Sequence, residues 1–153
     1  MSDSYVEFIP VDPRYVPSQD AQHAAVALLR KAGLVRYTAD ISSETEQHIV
    51  FRDAGANFER VLCPSCGGDI PIETWQDWMN ADYSAMAGFA LRPVVTTCCA
   101  TVATLNDLVY DWPQAFGRYA LTLRNSDDSR ATSVVAELER TLDCKLRTIR
   151  RHI

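Results

Sequence analysis

Residues 118–142, RYALTLRNSDDSRATSVVAELERTL, change their hydrophobic period from two to about 3.6 within one stretch. Over 119–123 apolar side chains alternate with small or polar ones, which is typical of a half-buried strand. The turn-forming run 125–129 follows and ends in a residue suited to cap a helix. Apolar residues then recur at helical spacing over 134–142. The stretch therefore predicts a strand, a turn and a helix in that order.

The N-terminal part of the chain repeats this order of elements. Residues 5–11 form a β-branched and aromatic run that Asp-Pro closes, which is typical of a strand and a turn. After Ser18, alanines and leucines recur at helical spacing until Gly33, which stands where a helix C-cap belongs. Residues 48–51 then predict a second strand. This half of the chain is predicted to be a β-α-β unit.

Two structures are compatible with the last ten residues. Leu146 and Ile149 would continue the helical spacing, whereas a break near Asp143 would allow a final strand. We predict the break, because a final strand completes a second β-α-β unit. Two such units can pack their helices on one face of a four-stranded antiparallel sheet.

These patterns predict an α+β fold in a single domain, residues 1–153: a split β-α-β, ferredoxin-like sandwich. Residues 63–112 are predicted to be a zinc-ribbon-like module inserted between its second and third strands. This segment holds four of the five cysteines and all three tryptophans. It also carries six carboxylates and one arginine, a net charge of −5, so it differs in chemistry from the flanking parts.

Composition excludes several classes of protein. Apolar residues make up 47% and charged residues 23% of the chain, which is typical of a folded globular domain. No apolar run approaches the roughly 20 residues that span a bilayer, and the N-terminus has no signal-peptide pattern. We therefore expect a cytoplasmic protein without a membrane partner, whose cysteines serve a metal or redox role. The formal net charge of −5 argues against a nucleic-acid partner.

The run Cys63-Pro64-Ser65-Cys66-Gly67-Gly68 is typical of a zinc-binding turn. Proline restricts the backbone between the two thiolates, and glycine after the second cysteine tolerates a positive φ. Cys98 and Cys99 follow about 30 residues later and can supply two more thiolates. We predict that Cys63, Cys66, Cys98 and Cys99 bind a structural Zn²⁺ that stabilises a module with little core of its own.

The second cysteine pair leaves the ligand set open. Adjacent side chains in an extended chain point in different directions, so a local turn must bring both sulfurs to one metal. If only one of these cysteines is a ligand, the fourth ligand could be His48, Asp69 or Cys144.

Two kinds of enzyme compete with the structural zinc site. Cys-Pro-x-Cys also occurs in thioredoxin-like dithiol oxidoreductases, where the first thiol lies at a helix N-terminus. Here Gly67-Gly68-Asp69 follows at once, and this run is a poor helix start. A catalytic zinc needs an open coordination position, and four sulfur ligands leave none. We therefore keep the oxidoreductase as the alternative and predict a non-enzymatic role.

Five blocks of the sequence resemble a small, poorly characterised bacterial family: Gly55–Arg60, Cys63–Gly67, Thr97–Cys99, Leu105–Leu108, and Tyr110–Pro113 with Phe116 and Arg118. The resemblance covers nearly the whole chain. It implies a bacterial cytosolic protein with a zinc site at the same four cysteines, and it implies no established activity. Some members are labelled sugar ABC transporter ATPases. This sequence contradicts that label, because neither of its lysines lies in a phosphate-binding-loop pattern.

The charge of the segment 63–112 suggests a partner. Four thiolates around Zn²⁺ would add −2 to its −5, and a rigid acidic surface favours association with a protein that has a basic face. We predict a protein-interaction module, with an acidic immunity or adaptor protein as one version. Asp77, Asp82 and Asp107 are expected to attract the partner. The sequence leaves open a homodimer built on exposed aromatic residues.

Overall fold

A computed structural model describes residues 2–153. Its strands are β1 (Ser4–Pro10), β2 (Ile41–Arg52), β3 (Arg60–Leu62), β4 (Asp69–Ile70), β5 (Tyr83–Ser84), β6 (Gly88–Phe89), β7 (Val94–Val95), β8 (Val102–Ala103), β9 (Val109–Asp111), β10 (Ala115–Arg124) and β11 (Leu146–His152). Its α-helices are α1 (Gln19–Ala32), α2 (Ile72–Asp82), α3 (Asp128–Ala131) and α4 (Val135–Leu142), and short 3₁₀ turns span Thr38–Asp40 and Thr132–Val134. The predicted α+β class is confirmed.

The four long strands form one sheet in the order β11-β1-β10-β2, and each neighbouring pair is antiparallel. Helix α1 connects β1 to β2, and α3 and α4 connect β10 to β11. Beyond β2 the sheet continues through β6, which pairs in parallel with β2 at Ile49, and then through β5. The segment between β2 and β10 thus extends one edge of this sheet.

Local capping determines where α1 begins and ends. The Ser18 hydroxyl accepts a hydrogen bond from the Ala21 amide at 3.2 Å, as an N-cap does. Gly33 has a φ of +66°, and its amide donates to the Arg30 carbonyl at 3.3 Å. Helix α4 ends in the same backbone conformation at Asp143, where φ is +56°. The chain then enters β11, so the predicted final strand is confirmed.

The helices pack on one face of the sheet. Leu29 of α1 and Leu138 of α4 are fully buried against Phe8 and Leu121 of the two central strands. Burying each side chain of this size contributes about 1.5–3 kcal/mol. Because the cavity left behind cannot collapse completely, Leu29→Ala is expected to cost about 2–5 kcal/mol.

The opposite face of the sheet contains an ion pair between a buried glutamate and a partly exposed arginine. Glu7 alternates along β1 with residues of the helix-side core, and it is 1% exposed. Its Oε1 lies 3.4 Å from Nη2 of Arg151, whose guanidinium also stacks over the Tyr5 ring. Burial raises the pKa of Glu7, and the charges of Arg151 and Arg52 oppose that rise. Burial therefore disfavours the charged form of Glu7, and the two arginines compensate for only part of that cost.

A second core lies in the segment between β2 and β10. Its strands are two or three residues long, so side-chain packing must supply much of its order. Trp75 of α2 is buried in this core, and its indole nitrogen donates a hydrogen bond to the Tyr110 hydroxyl at 3.2 Å. Phe116 of β10 joins this core to the main sheet through ring contacts of about 5 Å with Phe51 and Phe89.

Arg147 of β11 fastens the same segment to the sheet. Its Nη1 donates to Oδ1 of Asn106 at 3.1 Å and to the carbonyl of Gln114 at 3.1 Å. Asn106 in turn accepts from the Phe116 amide and donates to the Val11 carbonyl. These bonds hold the end of the segment against two strands of the sheet.

Within residues 2–153, no helix combines the length and the apolar character that crossing a bilayer requires.

Candidate metal centre

The first cysteine pair lies in the turn between β3 and β4. The Cys63 amide donates to the Gly68 carbonyl at 2.8 Å, and the Gly67 amide donates back to the Cys63 carbonyl at 3.0 Å. Gly67 has a φ of +72°, a conformation that costs glycine little. This is the backbone that the Cys-Pro-Ser-Cys-Gly-Gly run predicts. The motif does not lie at a helix N-terminus, because α2 begins only at Ile72.

The second cysteine pair lies in a turn of the same construction, between β7 and β8. The Thr96 amide donates to the Thr101 carbonyl at 2.9 Å, and the Ala100 amide donates back to the Thr96 carbonyl at 3.1 Å. Ala100 has a φ of +58°, as Gly67 does at the matching place. Residues 96–101 therefore repeat the backbone of residues 63–68.

Alignment of the two turns by these bonds shows how the vicinal cysteines differ from the first pair. Cys99 matches Cys66, the fourth residue of its turn, and Thr96 occupies the first place, which Cys63 occupies in the other turn. Cys98 stands at the third place instead. In the second turn one of the two thiols therefore lies at the third place, two residues after the place that Cys63 occupies in the first turn. From the third and fourth places, two adjacent cysteines can both face the first turn.

The four sulfurs form one cluster, in which every pair lies within 4.8 Å. Between the turns, the sulfurs of Cys63 and Cys99 are 3.7 Å apart and those of Cys66 and Cys98 are 3.3 Å apart. Sulfurs bound tetrahedrally to zinc at about 2.3 Å lie about 3.8 Å from one another. The cluster therefore has the donor set and nearly the spacing of a four-cysteine metal site, and it could hold a metal ion.

Gly68 allows the two turns to approach. A Cβ atom at this position would lie 3.2 Å from the Cys66 sulfur and 3.4 Å from the Cys98 Cβ. The first distance is tighter than ordinary packing and the second is an ordinary van der Waals contact, so a larger residue would have to displace the Cys66 sulfur slightly.

Hydrogen bonds to sulfur come from different groups in the two turns. The Ser65 amide donates to the Cys63 sulfur and the Gly68 amide to the Cys66 sulfur, both at 3.4 Å. The Cys99 sulfur instead contacts the hydroxyls of Thr101 at 3.1 Å and Thr96 at 3.7 Å. Because the Thr101 amide already donates to the Thr96 hydroxyl, the hydroxyl proton of Thr96 is free to point at the sulfur.

These contacts shift the thiol pKa values in different directions. The Thr101 hydroxyl, and then the Thr96 hydroxyl, lower the pKa of Cys99 to about 6. The amides of Cys66 and Ser65 lower the pKa of Cys63. At Cys66 the Gly68 amide lowers the pKa, but the neighbouring thiols and burial outweigh it and raise the pKa to about 12. Four thiolates this close repel one another, and a bound cation relieves that repulsion.

Sequence reasoning missed the roles of Thr96 and Thr101. The available signal was the common register of CPSCGG and TTCCAT, in which the fourth position is cysteine and the fifth is a residue with a small side chain or none. Among residues 2–153, the alternative ligands His48, Asp69 and Cys144 are not part of the cluster. Burial raises the pKa of Cys144, which lies after α4, to about 11.

The carboxylates expected to attract a partner do not share one environment. Asp77 and Asp107 are exposed. Asp82 is only 5% exposed, and its two oxygens accept the amides of Leu91 and Arg92 at 2.8 Å each. The expectation that Asp82 contributes to a binding surface is therefore wrong: it is a buried carboxylate that shapes the turn before β7.

Comparison of the chain with family models, curated proteins and solved structures finds no match.

Proposed function

We propose that this protein is a non-enzymatic interaction module whose binding surface is held rigid by a structural Zn²⁺ at Cys63, Cys66, Cys98 and Cys99. The observation that carries the proposal is the cluster of four thiols from two matched turns, with every sulfur pair within 4.8 Å. Amide and hydroxyl donors surround three of these sulfurs, as expected of groups that must carry negative charge.

Zinc is the metal that this donor set favours. Four thiolates in a tetrahedral arrangement suit Zn²⁺ or an iron–sulfur centre, and paired short turns are typical of structural zinc sites. A site with four protein ligands has no open position for substrate, which supports a structural role. The dithiol oxidoreductase gains no support from the geometry, since Cys63 is 1% exposed and no helix begins at the motif.

The fold proposed around this centre is a split β-α-β, ferredoxin-like sandwich with an inserted zinc-ribbon-like module. The strand order β11-β1-β10-β2, with a helical connection inside each half, supports the sandwich. The two hairpin turns that converge on the thiols support the ribbon-like part. The bacterial family described by its Cys-Pro-x-Cys-Gly and Tyr-Asp-Trp-Pro blocks remains our proposal for the relatives of this chain.

The acidic character of residues 63–112 supports a partner protein with a basic face. Glu73 and Asp77 are exposed on α2, and among the described residues neither takes part in an ion pair. Asp69 is exposed as well and Asp111 is partly exposed, although both lie beside Arg60. Bound zinc would add two negative charges through its thiolates. An immunity or adaptor protein of the bacterial cytoplasm is the version we propose.

Native mass spectrometry of protein purified without chelator tests the metal centre. We expect a mass increase of one zinc in the wild-type protein and its loss in Cys63→Ser/Cys66→Ser. Cys144→Ser is the matched control, because that cysteine lies outside the cluster, and it should keep the metal. A folded, metal-free wild-type protein after zinc reconstitution would refute the proposal.

The partner is tested separately by charge. For any protein that binds the purified chain directly, association should slow with rising salt, and Asp77→Lys should slow it further. Asp20→Lys makes the same reversal of charge on α1, remote in sequence from the acidic segment, and should have a smaller effect. Equal effects of the two substitutions would contradict an acidic binding surface.

A further inference from the structure

Cys98 differs from the other three cysteines in its surroundings. It occupies the third place of its turn, outside the positions from which backbone amides reach the sulfurs of the first turn. Among the described residues, its sulfur has one hydrogen-bonding contact, with the Cys66 sulfur at 3.3 Å. The Cys99 sulfur, by contrast, contacts two threonine hydroxyls. As a metal-bound thiolate, Cys98 would have no hydroxyl or amide donor on its sulfur, which would leave it more nucleophilic than Cys99.

The two cysteine pairs that meet between the turns also differ in their exposure to solvent. Cys66 and Cys98 are both exposed, whereas the other close contact between the turns, Cys63 to Cys99, has one fully buried member. A disulfide needs its sulfurs about 2.05 Å apart. The Cys66 and Cys98 sulfurs are 3.3 Å apart here and would lie about 3.8 Å apart around a bound zinc, so each must move by only about 1 Å or less to form the bond.

We propose that Cys66 and Cys98 are an oxidation site within the metal centre, at which a peroxide forms a disulfide and releases the ion. This inference rests on the proposed zinc site. It adds that Cys98, which lies at the third place of its turn and not at the first, is the ligand that reacts with the oxidant.

The chemistry balances with one peroxide for each disulfide. The Cys98 thiolate attacks one oxygen of hydrogen peroxide, the O–O bond breaks, hydroxide leaves, and Cys98 becomes a sulfenic acid. The Cys66 thiolate then attacks this sulfur and displaces a second hydroxide. Two thiolates lose two electrons in total, and the peroxide gains them. The ion is left with Cys63 and Cys99 alone, too few ligands for a closed site.

The matched turns suggest a variant that removes the oxidation site and keeps the metal site. In Thr96→Cys/Cys98→Ser the second turn would carry cysteines at its first and fourth places, as the first turn does. We expect this variant to bind one zinc. We expect peroxide to release that zinc several-fold more slowly than from the wild-type protein, because the displaced thiolate is gone. Cys144→Ser should behave as the wild type does.

The test treats zinc-reconstituted protein with one equivalent of hydrogen peroxide. Released zinc is followed with a metallochromic dye, and disulfides are mapped by mass spectrometry of proteolytic peptides. The expected product is a Cys66–Cys98 disulfide that accumulates together with free zinc. Predominance of Cys63–Cys66 or Cys98–Cys99 would overturn the inference, as would equal zinc release from the double variant.

Mapping of the wild-type protein decides the matter even if the double variant does not fold. Failure of the wild-type protein to bind zinc at all would instead refute the proposed function. The two failures are therefore distinguishable.

Discussion

Replacing Arg147 with methionine should weaken the attachment of the cysteine-bearing segment to the sheet. Arg147 donates at 3.1 Å to the Asn106 side chain and to the Gln114 carbonyl, with longer contacts of 3.4 Å to the Asn106 carbonyl. Methionine keeps much of the apolar stem that packs on the sheet but has no donor. The variant leaves the side-chain oxygen of Asn106 and the carbonyl of Gln114 without this donor, in a partly buried position.

The two 3.1 Å bonds determine the size of the expected effect. Hydrogen bonds from a charged donor contribute about 1.5–3 kcal/mol each, and water can partly replace them here. We therefore expect Arg147→Met to lower the free energy of unfolding by about 3 kcal/mol. For a chain of this length that corresponds to a fall in Tm of about 6–12 °C.

The assay is urea unfolding with zinc supplied, and Arg150→Met is the matched control. Arg150 lies on the same strand, but its side chain makes one solvent-exposed hydrogen bond, to the Thr132 hydroxyl at 3.0 Å. Its loss should cost less than about 1 kcal/mol. Equal losses in the two variants would refute the reasoning that Arg147 fastens the segment to the sheet.

Three further predictions concern the metal, a buried acid and a turn. Removal of zinc by a chelator should change the fluorescence of the tryptophans, because all three lie within 63–112. The amides of β1 and β10 should stay protected from hydrogen exchange. Protection of the amides of the two cysteine turns in the metal-free protein would contradict this prediction. Because burial raises the pKa of Glu7, its neutral form contributes stability at low pH that is lost as pH rises through the folded-state pKa. Relative to wild type, Glu7→Gln should therefore gain stability as pH rises from the ordinary carboxyl pKa of 4.5 through the raised pKa of Glu7, and a pH-independent difference in urea unfolding would disprove it. Asp82→Asn should cost about 2 kcal/mol in the same assay, since the amide can accept with one oxygen only, whereas the exposed Asp77→Asn should change stability by less than about 0.5 kcal/mol.

Local signals predicted those elements whose ends depend on nearby residues. Ser18 and Gly33 cap α1 through bonds to residues three positions away, so their effect is visible in the sequence alone. Strand β2 shows the limit. Only residues 48–51 carry a strand pattern, yet β2 extends from Ile41 to Arg52. Its polar first half is a strand because β10 pairs with it, and a polar run does not specify its partner.

In the candidate site, too, local sequence predicted one of the two cysteine turns and not the other. The turn at Cys63 and Cys66 is determined by its own sequence, since proline and the positive-φ glycine act within six residues. For Cys98 and Cys99 the sequence offered two thiols and, in the register that TTCCAT shares with CPSCGG, only a weak indication of their turn. Their joint approach to the first turn depends on the bond between Thr96 and Thr101, and on contact with a hairpin more than 30 residues away.

The sequence by itself thus determined the α+β class, the caps of α1 and the turn that carries Cys63 and Cys66, because short-range bonds and hydrophobic periods specify them. Only the tertiary structure decided that both vicinal thiols join the cluster, that Asp82 is buried, and that Arg147 holds the segment to the sheet. These features depend on groups brought together from distant parts of the chain, and packing rather than local preference selects them.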